Sequence, residues 1–482
     1  MPTFRLRNSS RLALALGCAA MVAACGGSTG APTGGTPTPS PTVTPTPTPS
    51  ATTATCTLSA RQDWVLAQLN EWYLFPDLVA PNVNKASFTN LQDYIDALVA
   101  PARAQSRDRY FTYITSIAEE NAFFQSGSSA GFGFRLGYDT VGRRVFVIES
   151  FEGTPALAQN LDRGTEIIGV GTTASNVQTV NALMASGGPQ AVVDALGPND
   201  PGVSRVLRVR DPGGAERTLT LSKTDYTLDP VSNRYGYKII NDGGRQVGYI
   251  NLRTFIDTAN PDLRAAYLSF RNAGVTDLVI DFRYNGGGLI DVAELMGDLM
   301  GRDKVGQVYD YVTFRPSKAA ENSTYNFRSQ PESIAPTSIA FIGTGSTASA
   351  SEMVINSMQP YLPNTRLALV GENTYGKPVG QIALDRTACD DRFRVIAFRL
   401  ENANRQGDYY TGLASTVPNT CRASDDISRQ LGDPAEGMLA AALNFVSGRS
   451  CTPFTAGTLA QRREVLQPRR PDAVQANLPG SF

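Results

Sequence analysis

Apolar residues recur at helical spacing in the first folded part of the chain, residues 57–128. A first helix is predicted to begin near Ser59, a candidate N-cap, and a second helix is predicted at about 88–99. The apolar positions of the first helix are Trp64, Leu66, Leu69, Trp72 and Tyr73. Because these side chains repeat along one face, we expect them to form a core rather than to contact a ligand. The pattern predicts a helical N-terminal domain.

Strand-like runs replace the helical spacing between residues 129 and 226. A helix is predicted near 178–195. A hairpin is predicted around Asp211-Pro212-Gly213-Gly214, where turn-forming residues separate two alternating segments. This part of the chain is predicted to be a β-rich domain.

Strands and helices alternate from residue 227 to residue 450, which indicates an α/β domain with a partly parallel sheet. The predicted strands include 247–255, 277–284 and 338–342, and the predicted helices are 260–273, 289–300 and 431–446. Sites in such sheets form where strands end and helices begin. The glycine-rich junction at 284–289 and the small-residue junction at 343–350 are therefore candidate sites. Residues 451–482 are expected to be a tail, peripheral or disordered from residue 455 onward.

The first 56 residues are expected to be an export signal followed by a tether. Residues 1–24 have a basic start and an apolar stretch that is too short for a stable membrane span. The sequence Val22-Ala23-Ala24-Cys25-Gly26 resembles the lipobox of bacterial lipoproteins, which implies a lipid on Cys25 and an outer-membrane location facing the periplasm. The alternative is an ordinary signal peptide with a chance cysteine. Residues 26–55 are uncharged and rich in Pro and Thr, which is typical of a semi-rigid tether.

Four cysteines remain for the folded part of an exported chain: Cys56, Cys389, Cys421 and Cys451. An even number in an oxidising compartment indicates two disulfides, for which three pairings are possible. We favour Cys389–Cys421, which would close one excursion of the core, and Cys56–Cys451, which would tie the two ends of the folded part. Free buried thiols are the alternative.

Composition narrows the chemistry that the chain can perform. Hydrophobic residues make up 41% and charged residues 18%, as in globular proteins, and a net charge of −1 does not favour binding to nucleic acid. The chain contains no histidine, which excludes Ser-His-Asp and Cys-His catalysis and every His-ligated metal site. We expect no metal and no cofactor. A hydrolase would need another base, and the only lysines are at positions 85, 223, 238, 304, 318 and 377.

Ser349 lies at the 343–350 junction and has two interpretations. With Glu352 it forms a capping-box pattern, in which the serine caps the helix that follows. The same position would place a nucleophilic hydroxyl at a helix N-terminus, where the free N–H of Ala350 could stabilise an oxyanion. The two interpretations are compatible.

Lys377 is the candidate base for that hydroxyl. It follows Tyr375 and Gly376 in a tight turn and precedes Pro378, so its amine could be enclosed and its pKa lowered by burial. Gln381 could orient the amine without adding a charge that would keep it protonated. The alternative is a turn lysine that faces solvent. No lysine has a serine three positions earlier, so the SxxK pattern of penicillin-binding proteins is absent.

Residues 153–168 resemble a PDZ-like domain. The stretch runs Gly-Thr-Pro-Ala, then Asn-Leu-Asp-Arg-Gly, then Glu-Ile-Ile. PDZ domains add a peptide as a strand to a sheet edge and capture its carboxylate on backbone amides. The resemblance implies that Gly131, Phe132, Gly133 and Phe134 form the substrate-binding loop. The alternative is a plain β-domain with structural glycines.

The three chemistry-bearing motifs, DFRYNGGG, STASASE and GENTYGKPVGQ, resemble those of the C-terminal processing (tail-specific) serine peptidases. The resemblance implies that Ser349 is the nucleophile, Lys377 the base and Gln381 its orienting partner. The oxyanion amides would belong to Ala350 and Gly287. Two departures are the Gly-Lys-Pro turn, where the family has Gly-Lys-Gly, and a few extra residues between the serine and the lysine.

The resemblance implies an α/β multidomain protein with a helical N-terminal part (57–128), a PDZ-like domain (129–226) and a ClpP/crotonase-like catalytic core (227–450). The expected activity is that of a cell-envelope endopeptidase acting on proteins or peptides with accessible C-termini, anchored to the membrane by lipid, and no adaptor can be named. A catalytically silent PDZ-type scaffold lipoprotein and a Ser-Lys hydrolase of non-peptide esters or amides are the alternatives.

Overall fold

The computed structural model describes residues 55–455, 464–465 and 473–482. The expected export signal at 1–24, the lipidation site Cys25 and all but the last two residues of the expected tether at 25–56 lie outside the described residues. Among the helices of the described residues, none has both the length and the apolarity that a membrane span requires.

The helices and strands of the described residues follow the order that the sequence pattern predicts. The helices are α1 (Leu58–Trp72), α2 (Leu91–Leu98), α3 (Ala100–Ala104), α4 (Ile117–Ser126), α5 (Pro155–Ala158), α6 (Val180–Leu196), α7 (Ala259–Asn272), α8 (Ile290–Met300), α9 (Ala350–Met358), α10 (Gly437–Val446) and α11 (Ala473–Asn477). The strands are β1 (Tyr113–Ser116), β2 (Ser128–Gly131), β3 (Phe134–Asp139), β4 (Arg144–Ser150), β5 (Glu166–Gly171), β6 (Gln178–Thr179), β7 (Ser204–Arg210), β8 (Glu216–Ser222), β9 (Thr224–Thr227), β10 (Tyr237–Asp242), β11 (Arg245–Asn251), β12 (Asp277–Asp281), β13 (Val308–Phe314), β14 (Ser323–Asn326), β15 (Ser338–Gly343), β16 (Leu367–Gly371), β17 (Val379–Arg386), β18 (Asp391–Asn402) and β19 (Thr420–Arg422).

The central sheet has the order β10-β11-β12-β15-β16-β19 and is parallel from β11 onward. Its strands are apolar on both faces, since helices cover both sides. In β12, Leu278 and Ile280 point into the cluster that contains α7, α8 and α9, whereas Val279 points into the cluster formed with α10. The sheet is therefore the partly parallel one that the alternation of strands and helices predicts.

A second, antiparallel sheet consists of β1, β18, β13 and β14, with β17 also paired to β18. The N-terminal helix α1 packs against β18, with the rings of Trp64 and Phe393 at 6.0 Å. This helix is capped by Thr57, which accepts the Ala60 N–H at 3.3 Å, and not by Ser59 as predicted. The reason is that Leu58 is already helical, so Ser59 lies inside the first turn.

Residues 128–227, called the β-domain below, carry the sheet β3-β4-β5-β7-β8 and the separate pair β2–β9. The β-domain has an apolar cluster distinct from the one around the central sheet. Strands β7 and β8 form the predicted hairpin, in which Gly214 N–H donates to Asp211 O at 2.8 Å. Strand β3 forms one edge of the sheet, so its outer hydrogen-bonding groups need a partner from elsewhere.

The four predicted cysteines form two disulfides, but the favoured pairing is wrong. Cys56 pairs with Cys389 at a Cα–Cα distance of 5.5 Å, and Cys421 pairs with Cys451 at 5.3 Å. Cys56 precedes α1, which packs on β18, and Cys389 immediately precedes β18 in sequence. Residues 451–454 return beside β19, which contains Cys421, as the Arg422 N–H to Thr452 O bond of 2.6 Å indicates. Tertiary packing therefore brings together pairs of cysteines that their spacing in the sequence does not predict.

The expectation of a peripheral tail is wrong for residues 473–482. Leu478 is fully buried in the main core, and Phe482 is 2% exposed in the core of the β-domain. A smaller correction concerns the closing helix, which begins at Gly437 rather than at 431, with Glu436 as its N-cap. The buried end of the chain lies close to the candidate site described next.

Candidate active site

The two predicted junctions meet at the carboxyl ends of adjacent strands β12 and β15. These strands pair in parallel, with Asp281 opposite Ile342. The main chain continues this contact beyond the strands, since Ala348 N–H donates to Asn285 O at 3.1 Å. The glycine-rich loop after β12 therefore lies against the residue that precedes Ser349.

Ser349 has a strained main chain, with φ +56° and ψ −116°. A non-glycine residue in a sparsely populated region costs about 1–3 kcal/mol and occurs preferentially at functional sites. The predicted capping box with Glu352 is present, and the Ser349 N–H donates to Glu352 Oε2 at 3.0 Å. The half-buried serine is therefore held at the start of α9 in a conformation that local preference does not favour.

Glu352 joins the nucleophile candidate to the lysine turn. Its Oε2 also accepts the Lys377 N–H at 2.7 Å. Its Oε1 accepts the Gly376 N–H at 2.7 Å and the Thr374 hydroxyl at 2.6 Å. Burial raises the pKa of this carboxyl, and the hydrogen bonds from Thr374 and from the main chain of the turn oppose the rise. One carboxyl group therefore sets the main-chain positions of Ser349 and Lys377 together.

The amine of Lys377 is in a setting that favours its neutral form. Burial lowers the pKa of Lys377 to about 8, while the Asp108 carboxylate raises it, the Arg394 charge lowers it and the Glu352 carboxylate raises it. With a pKa of about 8, roughly a tenth of the amines are neutral at pH 7. This fraction is far above that of an ordinary lysine, as general-base function requires.

Gln381 and a loop from the N-terminal part hold the lysine in place. Lys377 Nζ donates to Gln381 Oε1 at 2.8 Å, and Gln381 Nε2 donates to Phe111 O. The ring of Phe111 lies 4.9 Å from Nζ. Arg109 donates to Gly376 O at 2.6 Å. The predicted orienting role of Gln381 agrees with this geometry, and residues 109–111 of the N-terminal part hold both Gln381 and the lysine turn.

Ser349 Oγ and Lys377 Nζ form no hydrogen bond with each other among the described residues. The helix N-terminus leaves the Ala350 N–H without an intrahelical acceptor, as the oxyanion prediction requires. Gly287 is in contact with the serine, because a Cβ on it would lie 2.7 Å from Ser349 Cβ. Its N–H, however, donates to Asn285 Oδ1 at 2.9 Å, so this amide is already engaged. Of the two amides that the sequence predicts as oxyanion donors, that of Ala350 is thus available and that of Gly287 is held by Asn285.

Comparison with known proteins places these elements in one family. The family model described as Peptidase family S41 matches residues 246–401, and the one described as Peptidase S41 N-terminal domain matches residues 60–113. The chain carries domains of peptidase family S41. The S41 match contains the serine, the lysine and the glutamine of the site, and the N-terminal match contains Arg109 and Phe111. The β-domain lies between the two matched regions.

Curated relatives of the chain are processing peptidases. It is 28% identical over 272 residues to the chloroplastic C-terminal processing peptidase of Tetradesmus obliquus, covering 54% of each chain. It is 25% identical over 257 residues to a carboxyl-terminal-processing protease of Picosynechococcus, covering 52% of this chain and 55% of the relative. The chain therefore spans about half the length of the curated relatives it matches.

A solved structure supports the fold. An S41 protease from Bacteroides fragilis superposes with a TM-score of 0.61 at 22% identity, covering 80% of this chain and 97% of that one. The likeness extends beyond the two regions that the S41 family models match. At this level of identity it establishes the fold alone.

A buried ion network anchors the glycine-rich loop of the S41 domain. Arg283 of the DFRYNGGG motif bonds Asp281 at 2.8 Å, Asp425 at 2.9 Å and Glu436 at 2.9 Å. Arg163 of the β-domain bonds the same Asp425 at 2.5 Å. Burial alone would raise the pKa of Asp425, but the two guanidinium groups hold it well below its usual range. The network thereby links the β-domain to the loop that carries Gly287.

The predicted substrate-binding loop of the β-domain has a partner in the structure. The N–H groups of Gly133 and Phe134 donate to Phe482 O at 2.9 and 3.3 Å. The side chains of Phe132 and Phe134 are buried in the β-domain core. The backbone of the predicted loop therefore binds another segment of the chain, whereas the two Phe rings are buried and form no open binding surface.

Four residues of the site have contacts that the sequence pattern does not predict. The capping-box pattern predicts only a capping role for Glu352, although its place in the STASASE motif is a signal for a wider role. Asn285, also inside a motif, holds the Gly287 amide. Arg109 and Phe111 had no recognisable signal, since nothing local predicts that their loop reaches a turn more than 250 residues away.

Proposed function

We propose that this chain is a serine peptidase in which Ser349 is the nucleophile and Lys377 is the general base. The observation that carries the proposal is the strained Ser349, tied through Glu352 to a lysine whose pKa is lowered to about 8. The absence of histidine supports a lysine base. The processing peptidases among the relatives support peptide bonds as the substrate.

In the proposed first step, the neutral amine of Lys377 first comes within hydrogen-bond reach of Ser349 Oγ, to which it is not bonded in this structure. It then takes the hydroxyl proton as Oγ adds to the carbonyl carbon of the scissile bond. The oxyanion accepts a hydrogen bond from the Ala350 N–H. It accepts a second one from the Gly287 N–H after that amide has left Asn285 Oδ1. Lys377 then gives its proton to the leaving amine, the C–N bond breaks, and an ester on Ser349 remains. A water molecule gives a proton to Lys377 and attacks the ester, and the lysine returns that proton to Oγ as the acid product leaves.

The finer parts of the proposal concern domains and location. We propose that the β-domain is PDZ-like and recognises the C-termini of substrates, because its loop amides at Gly133 and Phe134 donate hydrogen bonds to an added strand. We also propose a ClpP/crotonase-like core at 227–450. The sequence pattern around Cys25 supports a lipid-anchored protein of the cell envelope. The test is labelling with a radioactive fatty acid, which should mark the wild type and not Cys25→Ser.

The test of the catalytic proposal is cleavage of an unstructured protein by purified variants. Ser349→Ala and Lys377→Ala are each expected to lower kcat/KM by at least about 10³-fold. Ser346→Ala, which removes a hydroxyl from the same loop, is the matched control and should retain activity. Circular dichroism checks that each variant is folded. Undiminished cleavage by Ser349→Ala would refute the assignment.

Substrate choice distinguishes the remaining alternatives. Matched peptide and ester substrates with the same acyl group should both be cleaved by a peptidase, whereas turnover of esters alone would indicate a hydrolase of another class. A folded wild-type chain that cleaves neither substrate, yet binds peptides, would be a silent binding module.

A further inference from the structure

The outer edge of strand β3 is occupied by the segment 478–482 of the same chain. Phe482 N–H donates to Phe134 O at 2.9 Å, and the Leu136 N–H donates to Gly480 O at 2.9 Å. Arg135 and Ser481 form the antiparallel bridge between them. Together with the bonds from Gly133 and Phe134 to Phe482 O, these contacts make the segment an added strand of the β-domain sheet.

The side chain of Phe482 fills a specific place in the β-domain. It is 2% exposed and belongs to the same apolar cluster as Phe132, Phe134 and Leu136. Gly131 leaves room for the main chain of the same residue, since a Cβ there would lie 2.6 Å from the carbonyl carbon of Phe482. The groove therefore fits a strand with a large apolar side chain at this position.

The same segment passes beside the candidate active site. Leu478 is buried in the main core, and a Cβ on Gly286 would lie 3.0 Å from both Asn477 O and Pro479 Cδ. Gly286 directly precedes Gly287, which contacts Ser349. A substrate strand that bound β3 and extended toward Ser349 would need the space that residues 477–482 occupy.

We propose that segment 473–482 is an intramolecular ligand of the β3 groove and competes there with the substrate. The inference rests on the proposed function, because it takes the groove to be the substrate-recognition site. It names the occupant of that groove as a strand with uncharged side chains, Leu-Pro-Gly-Ser-Phe, with the apolar side chain at position 482. The chain is thereby self-inhibited, and a substrate must displace the segment before it can reach Ser349.

The size of the effect follows from effective concentration. A tethered segment has an effective concentration of about 1 mM, so a segment whose free peptide binds with a Kd of about 0.1 mM would occupy the groove roughly nine-tenths of the time. Releasing the segment should then lower the KM for substrate by about tenfold and leave kcat unchanged.

Gly480→Val releases the segment without changing the groove or the dyad. Gly480 has φ +76°, and its Cβ would lie 2.6 Å from Val465 Cγ1 and 3.0 Å from Leu136 O, so valine is both strained and obstructed. Phe482→Asp is a second releasing variant, because it would bury a charge. Gly214→Val is the matched control, since Gly214 also has positive φ, +88°, but its Cβ would meet nothing within 4 Å.

Binding is measured first, in the Ser349→Ala background, so that it does not depend on catalysis. A fluorescent peptide of residues 473–482 should bind Gly480→Val and Phe482→Asp with an apparent Kd about tenfold lower than for the chain with the native segment. The control Gly214→Val should bind the peptide as weakly as the chain with the native segment does. The same peptide with aspartate in place of Phe482 should not bind. Equal binding to the native and released segments, or no binding to either released variant, would overturn the inference.

Cleavage kinetics then separate this inference from the proposed function. With Ser349 present, the two releasing variants should show the lower KM, and the peptide should reverse it competitively. If the peptide binds as expected but no variant cleaves any substrate, the proposed function fails and the intramolecular ligand stands. If the variants cleave with unchanged KM, the chain is a peptidase and the self-inhibition is refuted.

Discussion

Gln381→Glu is the perturbation that tests the lysine base most directly. Gln381 Oε1 lies 2.8 Å from Lys377 Nζ, so glutamate would place a negative charge in contact with the amine. An opposite charge at such a distance raises a lysine pKa by about 1–3 units. The pKa of Lys377 would rise from about 8 to roughly 9–11, and the neutral fraction at pH 7 would fall about 10- to 1,000-fold.

The sign of the pH dependence follows from which form is active. Neutral lysine is the base, so kcat/KM of the wild type should rise with pH and level off above pH 8, whereas Gln381→Glu should continue to rise to higher pH. The glutamate also loses the donor to Phe111 O, which predicts an additional loss that does not depend on pH. The shift in midpoint is therefore the diagnostic quantity, and not the activity at a single pH.

The assay is kcat/KM for a fluorogenic peptide between pH 6 and 10. Gln246→Glu adds the same charge at an exposed position on β11, at the end of the sheet away from the site, and should keep the wild-type midpoint. A Gln381→Glu variant whose midpoint coincides with that of the wild type would refute the assignment of Lys377 as the titrating base.

Three predictions concern stability. Asp310 is buried, which raises its pKa to about 7. The unfolded chain loses this proton from about pH 4 while the folded chain keeps it, so the free energy of unfolding should fall by about 3–4 kcal/mol as the pH rises from 4 to 7. Asp310→Asn should remove this loss in urea denaturation, and an unchanged pH slope would contradict it. Ser349→Gly should be more stable than Ser349→Ala by about 1 kcal/mol, because glycine adopts the positive φ of +56° without strain. Equal free energies of unfolding for the two variants in urea denaturation would argue against strain at Ser349. Replacing Cys421 and Cys451 by serine opens a loop of 30 residues and should cost about 3–4 kcal/mol in the same assay, while non-reducing peptide mapping that joins Cys421 to Cys389 would contradict the pairing.

Local patterns predicted the elements of the site well. The runs at 277–284 and 338–342 became adjacent parallel strands, and the two junctions that follow them meet at one sheet edge. Helix boundaries were less accurate, because Thr57 and Glu436 cap α1 and α10 where other starts were predicted. Capping depends on side-chain geometry that spacing alone does not specify.

Contacts between residues far apart in the sequence could not be predicted from spacing. The disulfide pairing follows from α1 lying on β18 and from the return of residues 451–454 beside β19. Arg109 reaches the turn at Gly376 for the same kind of reason. Each of these contacts depends on how separately formed elements pack, and their energies are shared among many side chains.

The sequence by itself determined the chemical types at the site and the elements that carry them. The absence of histidine, the scarcity of lysine and three short motifs single out Ser349 and Lys377, because catalysis needs particular functional groups that composition reveals directly. Only the tertiary structure decided that Glu352 joins those two residues and that Asn285 engages the Gly287 amide. It also decided that residues 478–482 complete the β3 edge, since an unpaired strand accepts whichever segment the rest of the fold brings to it.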